Sequence, residues 1–125
     1  MISGVAKVVV PVGNQAEALR FWRDAMGFAV VTDQTYGDER WVEVAPPDRG
    51  VVLVLSPRTD EEPRREVREQ LPHSDVFFTC ADLEQTYAEL SARGVRFPAP
   101  PERQHFGWWS MFADPDGTRY ALGQY

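Results

Sequence analysis

The sequence has little of several things that proteins use for chemistry. Its 125 residues include one cysteine, Cys80, one lysine, Lys7, and two histidines, His73 and His105. A lone cysteine excludes an intrachain disulfide and any zinc site built on cysteine pairs. No apolar run approaches the roughly 20 residues that span a bilayer. The opening stretch, MISGVAKVVVPVG, lacks a basic region followed by a long apolar one, so no signal peptide is expected and the expected location is cytoplasmic. A basic surplus is missing too: 13 Lys and Arg stand against 19 Asp and Glu, a net charge of −6. That balance disfavours nucleic acid and anionic membranes as partners, both of which need clustered cations. No nucleophile–base pair and no glycine-rich phosphate loop stands out. What remains is ordinary for a globular chain: 43% hydrophobic residues, enough for a core in one domain.

The chain is punctuated into short elements. Residues 5–12, VAKVVVPV, read as a strand. Asn14 caps a helix whose apolar residues Ala18, Leu19, Phe21, Trp22 and Met26 recur at helical spacing until Gly27 stops it. Strands are expected over 28–35, 40–45 and 51–56. Residues 57–72 are rich in Arg and Glu, and read as a solvated linker. The pattern then restarts. A strand over 75–80 precedes a helix capped by Asp82 and ended by Gly94, and a strand begins at 95–97 before Pro98, Pro100 and Pro101 break it. Strands over 106–113 and 118–124 flank the turn Asp114-Pro115-Asp116-Gly117.

The two N-caps lie 68 residues apart and the two helix stops 67 apart, the mark of an internal repeat. Each half reads strand, helix, strand, strand, strand. One helix covers only one face of a four-stranded sheet, so the other face needs a partner. The expectation is an α+β fold of two βαβββ modules, about 1–56 and 73–125, whose curled mixed sheets surround a cavity where a ligand would sit.

The segments VVVPVGNQAEALRFWRDAMGF, DVFFTCADLEQTYAELSARGV and FADPDGTRYAL resemble the vicinal oxygen chelate superfamily of glyoxalases, bleomycin-resistance proteins and extradiol dioxygenases. The resemblance covers the chain except the linker. It implies four metal-ligand positions in the enzymes of that superfamily, one in the first and one in the last strand of each module. These fall on Lys7, Val54, Asp75 and Ala121. An ammonium and two hydrocarbon side chains offer no donor to a divalent ion, so no metal and no other cofactor is expected. His73 and His105 read as surface or loop residues, and Cys80 as a small buried hydrophobe.

Strand alternation sorts the side chains that face the cavity. Counting by twos, Lys7, Val9 and Pro11 point inward in the first strand, Asp75, Phe77 and Thr79 in its counterpart. Trp41, Glu43, Trp109, Met111 and Arg119 join them. The expected ligand site is therefore Lys7, Trp41, Glu43, Asp75, Phe77, Trp109, Met111 and Arg119, an aromatic lining with charged anchor points. Lys7 and Asp75, at equivalent positions of the two modules, are expected to approach as an ion pair.

The reading is a metal-free binder of a planar or cationic small molecule, in the manner of the bleomycin-resistance branch and possessing an antibiotic as one candidate ligand. A homodimer is expected, since half-open sheets leave edges exposed. The alternative is a glyoxalase-like lyase or isomerase, or a dioxygenase-type enzyme, with a non-standard site. The arginine bias suggests a bacterial source.

Overall fold

In the computed structural model the described residues are 1–48, 50–58 and 74–124. His73 and nearly all of the 57–72 linker lie outside them. The chain divides into two compact units, Met1–Pro63 and Arg64–Tyr125.

In the first unit, β1 (Lys7–Val12) is followed by α1 (Gln15–Arg20), β2 (Ala29–Tyr36), β3 (Glu39–Ala45) and β4 (Val52–Pro57). The sheet order is β1-β4-β3-β2, with β1 parallel to β4 and the other pairs antiparallel. The second unit repeats it. β5 (Phe77–Thr79) leads into α2 (Leu83–Ala92), then β6 (Glu102–Gln104), β7 (Gly107–Ala113) and β8 (Arg119–Gln124), ordered β5-β8-β7-β6. Parallel pairing of first and last strands forces the chain to cross over between them, and the helix is that crossover.

Local chemistry explains the helix ends. Asn14 Oδ1 accepts from the Glu17 amide at 2.9 Å, and Asp82 Oδ1 from the Gln85 amide at 3.1 Å. Gly27 and Gly94 take φ of 78° and 90°, a left-handed conformation that costs glycine least. A glutamine ties each helix start to its sheet, in opposite senses. Gln15 Nε2 donates to the carbonyls of Arg40 and Leu55, at 2.8 and 2.9 Å. In the second unit the sheet residue Gln124 accepts, from the Leu83 amide at 2.8 Å.

The cores lie between each helix and its sheet. Val10, Val12, Val42, Val44, Leu53 and Leu55 meet Ala18, Leu19 and Trp22 in the first unit. Trp22 is fully buried, its ring 5.2 Å from Phe21 and 5.1 Å from Phe28. In the second, Phe112 and Tyr120 stack at 5.4 Å beneath Leu83 and Leu90, with Phe78 and Phe97 beside them.

Three expectations need correction. The first helix is not α-helical throughout: Phe21–Ala25 form a π turn, with the Met26 amide bonded to the Phe21 carbonyl at 3.0 Å. Apolar spacing does not distinguish the two helix types. The outer strand of the second sheet is Glu102–Gln104, not 95–97; Arg96 makes one isolated bridge to Ala113. Prolines at 98, 100 and 101 have no N–H to give to a ladder, so pairing resumes only beyond them. The strand expected over 75–80 is only Phe77–Thr79, which leaves Asp75 in a bend ahead of it. One irregularity adds detail: the β2–β3 register shifts between Val30 and Thr32, a bulge at Val31 on the outer strand β2.

Candidate ligand-binding site

Each sheet has one face under its helix and one face free of it. In the first unit the alternate residues Lys7, Val9 and Pro11 are exposed, while Val10 and Val12 are buried. Cross-strand registers put Val52 opposite Lys7, Val54 opposite both Val9 and Glu43, and Gln34 opposite Trp41. The helix-free face of this sheet therefore presents Lys7, Val9, Trp41 and Glu43. Trp41 is 42% exposed.

The charge pair on this face is Lys7 with Glu43. The Lys7 ammonium lies 2.8 Å from Glu43 Oε2. The strand order explains it. β4 separates β1 from β3, so the lysine reaches across two strand spacings, about 10 Å, over the methyl groups of Val52 and Val54. No polar group of β4 intercepts it there. Glu43 is 4% exposed, although it sits on the helix-free face. The Lys7 contact is close but off the best hydrogen-bond direction. Lys7 is nonetheless the main influence holding the Glu43 carboxyl below the usual carboxylate range; the Trp41 indole and Thr32 hydroxyl donate in the same sense, and burial opposes them. The lysine side chain keeps 49% of its surface in solvent.

The second unit has the same face in different chemistry. Phe77 pairs with Ala121, Ala121 with Met111, and Trp109 with Gly123. Trp41 and Trp109 are 68 residues apart and occupy matching strand positions, as do Val9 and Phe77, and Glu43 and Met111. Phe77 is 64% exposed. A pocket of about 230 Å³ opens beside Trp109 and Met111. Its wall is the segment Pro98, Ala99 and Pro100, and Glu102, Ser110 and Arg119 complete it. Ser110 Oγ donates to the Ala99 carbonyl at 3.2 Å and holds that wall against β7.

Of the eight residues expected at a ligand site, Trp109, Met111 and Arg119 line this pocket, and Lys7, Trp41 and Glu43 form the cluster on the other sheet. Phe77 lies on the helix-free face of its sheet, and Asp75 is exposed in its bend. The proline wall and Ser110 were missed. Three prolines just before a tryptophan-bearing strand were the available signal, since such a segment has to run beside the sheet rather than in it.

The remaining reactive groups are quiet. Burial pushes the Cys80 thiol up, which keeps it protonated, and its Sγ lies 3.8 Å from the Gly123 carbonyl. His105 is exposed in the β6–β7 turn, edge-on to Phe106. The turn before β8 is built on Asp114. Its Oδ1 accepts from the amides of Asp116 and Thr118, at 3.0 and 2.9 Å, and its Oδ2 from the Tyr120 hydroxyl at 2.9 Å. Burial nonetheless outweighs these bonds and raises its pKa above the usual carboxylate range.

The sequence profile of the Glyoxalase/Bleomycin resistance protein/Dioxygenase superfamily matches residues 4–122. The chain belongs to that superfamily. The uncharacterized protein YetH of Bacillus subtilis (strain 168) is 30% identical over 123 residues, 98% of each chain. The crystal structure of TnmS3, an antibiotic binding protein from Streptomyces sp. CB03234, is similar with a TM-score of 0.82 and 30% identity, covering 98% of this chain and 95% of that one. A superfamily member from Sphaerobacter thermophilus DSM 20745 gives 0.80 and 28%, covering 98% and 97%.

The metal positions that the superfamily resemblance implies can be tested against the side chains present. Lys7 is engaged with Glu43, and Val54 and Ala121 are buried hydrocarbons. These residues do not fit a divalent ion, whatever Asp75 contributes. Among the described residues no three His, Cys, Asp or Glu side chains are grouped as metal ligands would be. No helix among them is long and apolar enough to cross a membrane.

Proposed function

We propose that the protein is a small-molecule binder that works without a divalent metal and holds a planar, largely apolar ligand, an antibiotic among the candidates. The observation that carries this reading is the pocket beside Trp109 and Met111, walled by prolines and anchored by Arg119. Flat aromatic and thioether surface favours a flat ligand, and a few polar groups at the rim give it an orientation. The similarity to TnmS3, an antibiotic binding protein, points the same way. Asp75 and Phe77 belong to the same reading as further contacts. The exposed apolar residues Val9, Trp41 and Phe77 support a homodimer, and the acidic composition supports a role away from nucleic acid.

The test is calorimetric titration with a panel of planar antibiotics, in the presence and absence of EDTA, with native mass spectrometry of the same sample. Stoichiometric binding unaffected by EDTA is expected, with Trp109→Ala weakening it at least tenfold. Conversion of a ligand to product, or binding that requires an added divalent ion, would overturn the reading in favour of an enzyme.

A further inference from the structure

We infer that the helix-free face of the first sheet selects anionic aromatic ligands, with Lys7 receiving the ligand's carboxylate or phenolate oxygen and Trp41 stacking on its ring. This rests on the small-molecule-binding reading and specifies the charge of what is bound. The reasoning starts from how the two charges of the pair are disposed. Glu43 is 4% exposed and its carboxylate is already served by Lys7, Trp41 and Thr32. It has little surface left to offer a cation. Lys7 is the reverse. Its side chain is 49% exposed, and an ammonium has three donors, of which Glu43 engages one side. At the Lys7 end of this face the exposed charge is therefore the ammonium, although Glu39 shares the face two residues before Trp41 and the protein as a whole carries −6. An arriving cation would meet the ammonium first and be repelled.

The aromatic half of the site stands on the same strand: Trp41 lies two residues before Glu43 on the helix-free face of β3 and is 42% exposed. Glu43 is a positioning residue for the lysine, which it stops from wandering over the valine surface. A ligand that matches has a flat ring with an oxyanion at its margin. A cationic ligand, which composition alone had suggested, matches poorly here.

The experiment is a fluorescence and calorimetric titration of the full chain with three probes of one shape: 2-naphthoate, 2-naphthylmethanol and (2-naphthylmethyl)trimethylammonium. The expected order is naphthoate tightest, about threefold to tenfold over the alcohol once solvent screening is allowed for, and the ammonium weakest. Trp41→Phe should remove the part of the tryptophan quenching that naphthoate causes on this face. Lys7→Met should abolish the preference for naphthoate while leaving the alcohol's affinity within twofold. Because Lys7→Met strands a covered carboxylate, the double variant Lys7→Met with Glu43→Gln is the matched control for folding, and it should show the same loss of preference. Equal binding of naphthoate and alcohol by the native protein, or tighter binding of the ammonium, overturns the inference while the binding reading stands. Failure of all three probes together with the antibiotic panel overturns the binding reading itself.

Discussion

The two helix-free sheet faces share one backbone plan and differ in what has been placed on it. Each has a tryptophan at the matching position of its third strand, Trp41 and Trp109. Beside Trp41 stands Glu43, tied to Lys7; at the matching place beside Trp109 stands Met111. One ring stands beside a covered, ion-paired carboxylate, the other beside a flexible thioether. Duplication of a module thus supplies two similar aromatic surfaces, and two substitutions make one of them electrostatic and oriented and the other adaptable.

The same division runs through the cores and turns, and several variants would break or sharpen it. The largest effect is expected at Trp22, whose counterpart 68 residues on is Leu90. Trp22→Ala should cost about 4 kcal/mol, read from urea denaturation, because a fully buried indole leaves a large cavity. Next comes Asp114, which ties the turn before β8 to Tyr120. Asp114→Ala should cost about 3 kcal/mol, since it strands a buried hydroxyl and two amides. In the corresponding turn of the first unit Asp48 accepts from the Gly50 amide at the exposed surface, and Asp48→Ala should leave the midpoint nearly unchanged. Lys7→Met should cost about 1 kcal/mol, the discounted value of a half-exposed pair, and adding Glu43→Gln should recover most of it.

Acid titration offers the finest distinction. Glu43 has a folded-state value below its unfolded one, so its contribution is present above the ordinary glutamate range near pH 4.3 and lost as the pH falls through the lowered value. Asp114 runs the other way. Its folded value is raised, so its contribution is present below the ordinary aspartate range near pH 3.9 and lost as the pH rises through the raised value. Urea midpoints between pH 3 and 6 should therefore fall less steeply on acidification in Glu43→Gln than in the native chain, and more steeply in Asp114→Asn.

Much of the architecture was legible because it rests on short-range rules. N-caps, glycine stops and alternation put Lys7, Trp41, Glu43, Phe77, Trp109 and Met111 on the correct faces. What alternation does not contain is which strands are neighbours. Lys7 and Glu43 are 36 residues apart, and only the insertion of β4 between their strands brings them within reach. The pocket was half legible for a related reason: its floor lies on strands, but its wall depends on one Ser110 hydrogen bond to a proline-rich segment. The π turn left no mark in the apolar spacing at all.

The bulge at Val31 has a consequence for abundance. The outer strand β2 is eight residues long and bears exposed Val30 and Val31, the sort of edge onto which another chain's strand can be added. An extra residue in mid-strand breaks the regular spacing of free amide and carbonyl groups, and the Asp33–Arg40 pair beyond it sets charge along the same edge. An edge interrupted in this way is a poor template for the strand of another copy, so the chain tolerates a higher concentration before edge-to-edge aggregation begins.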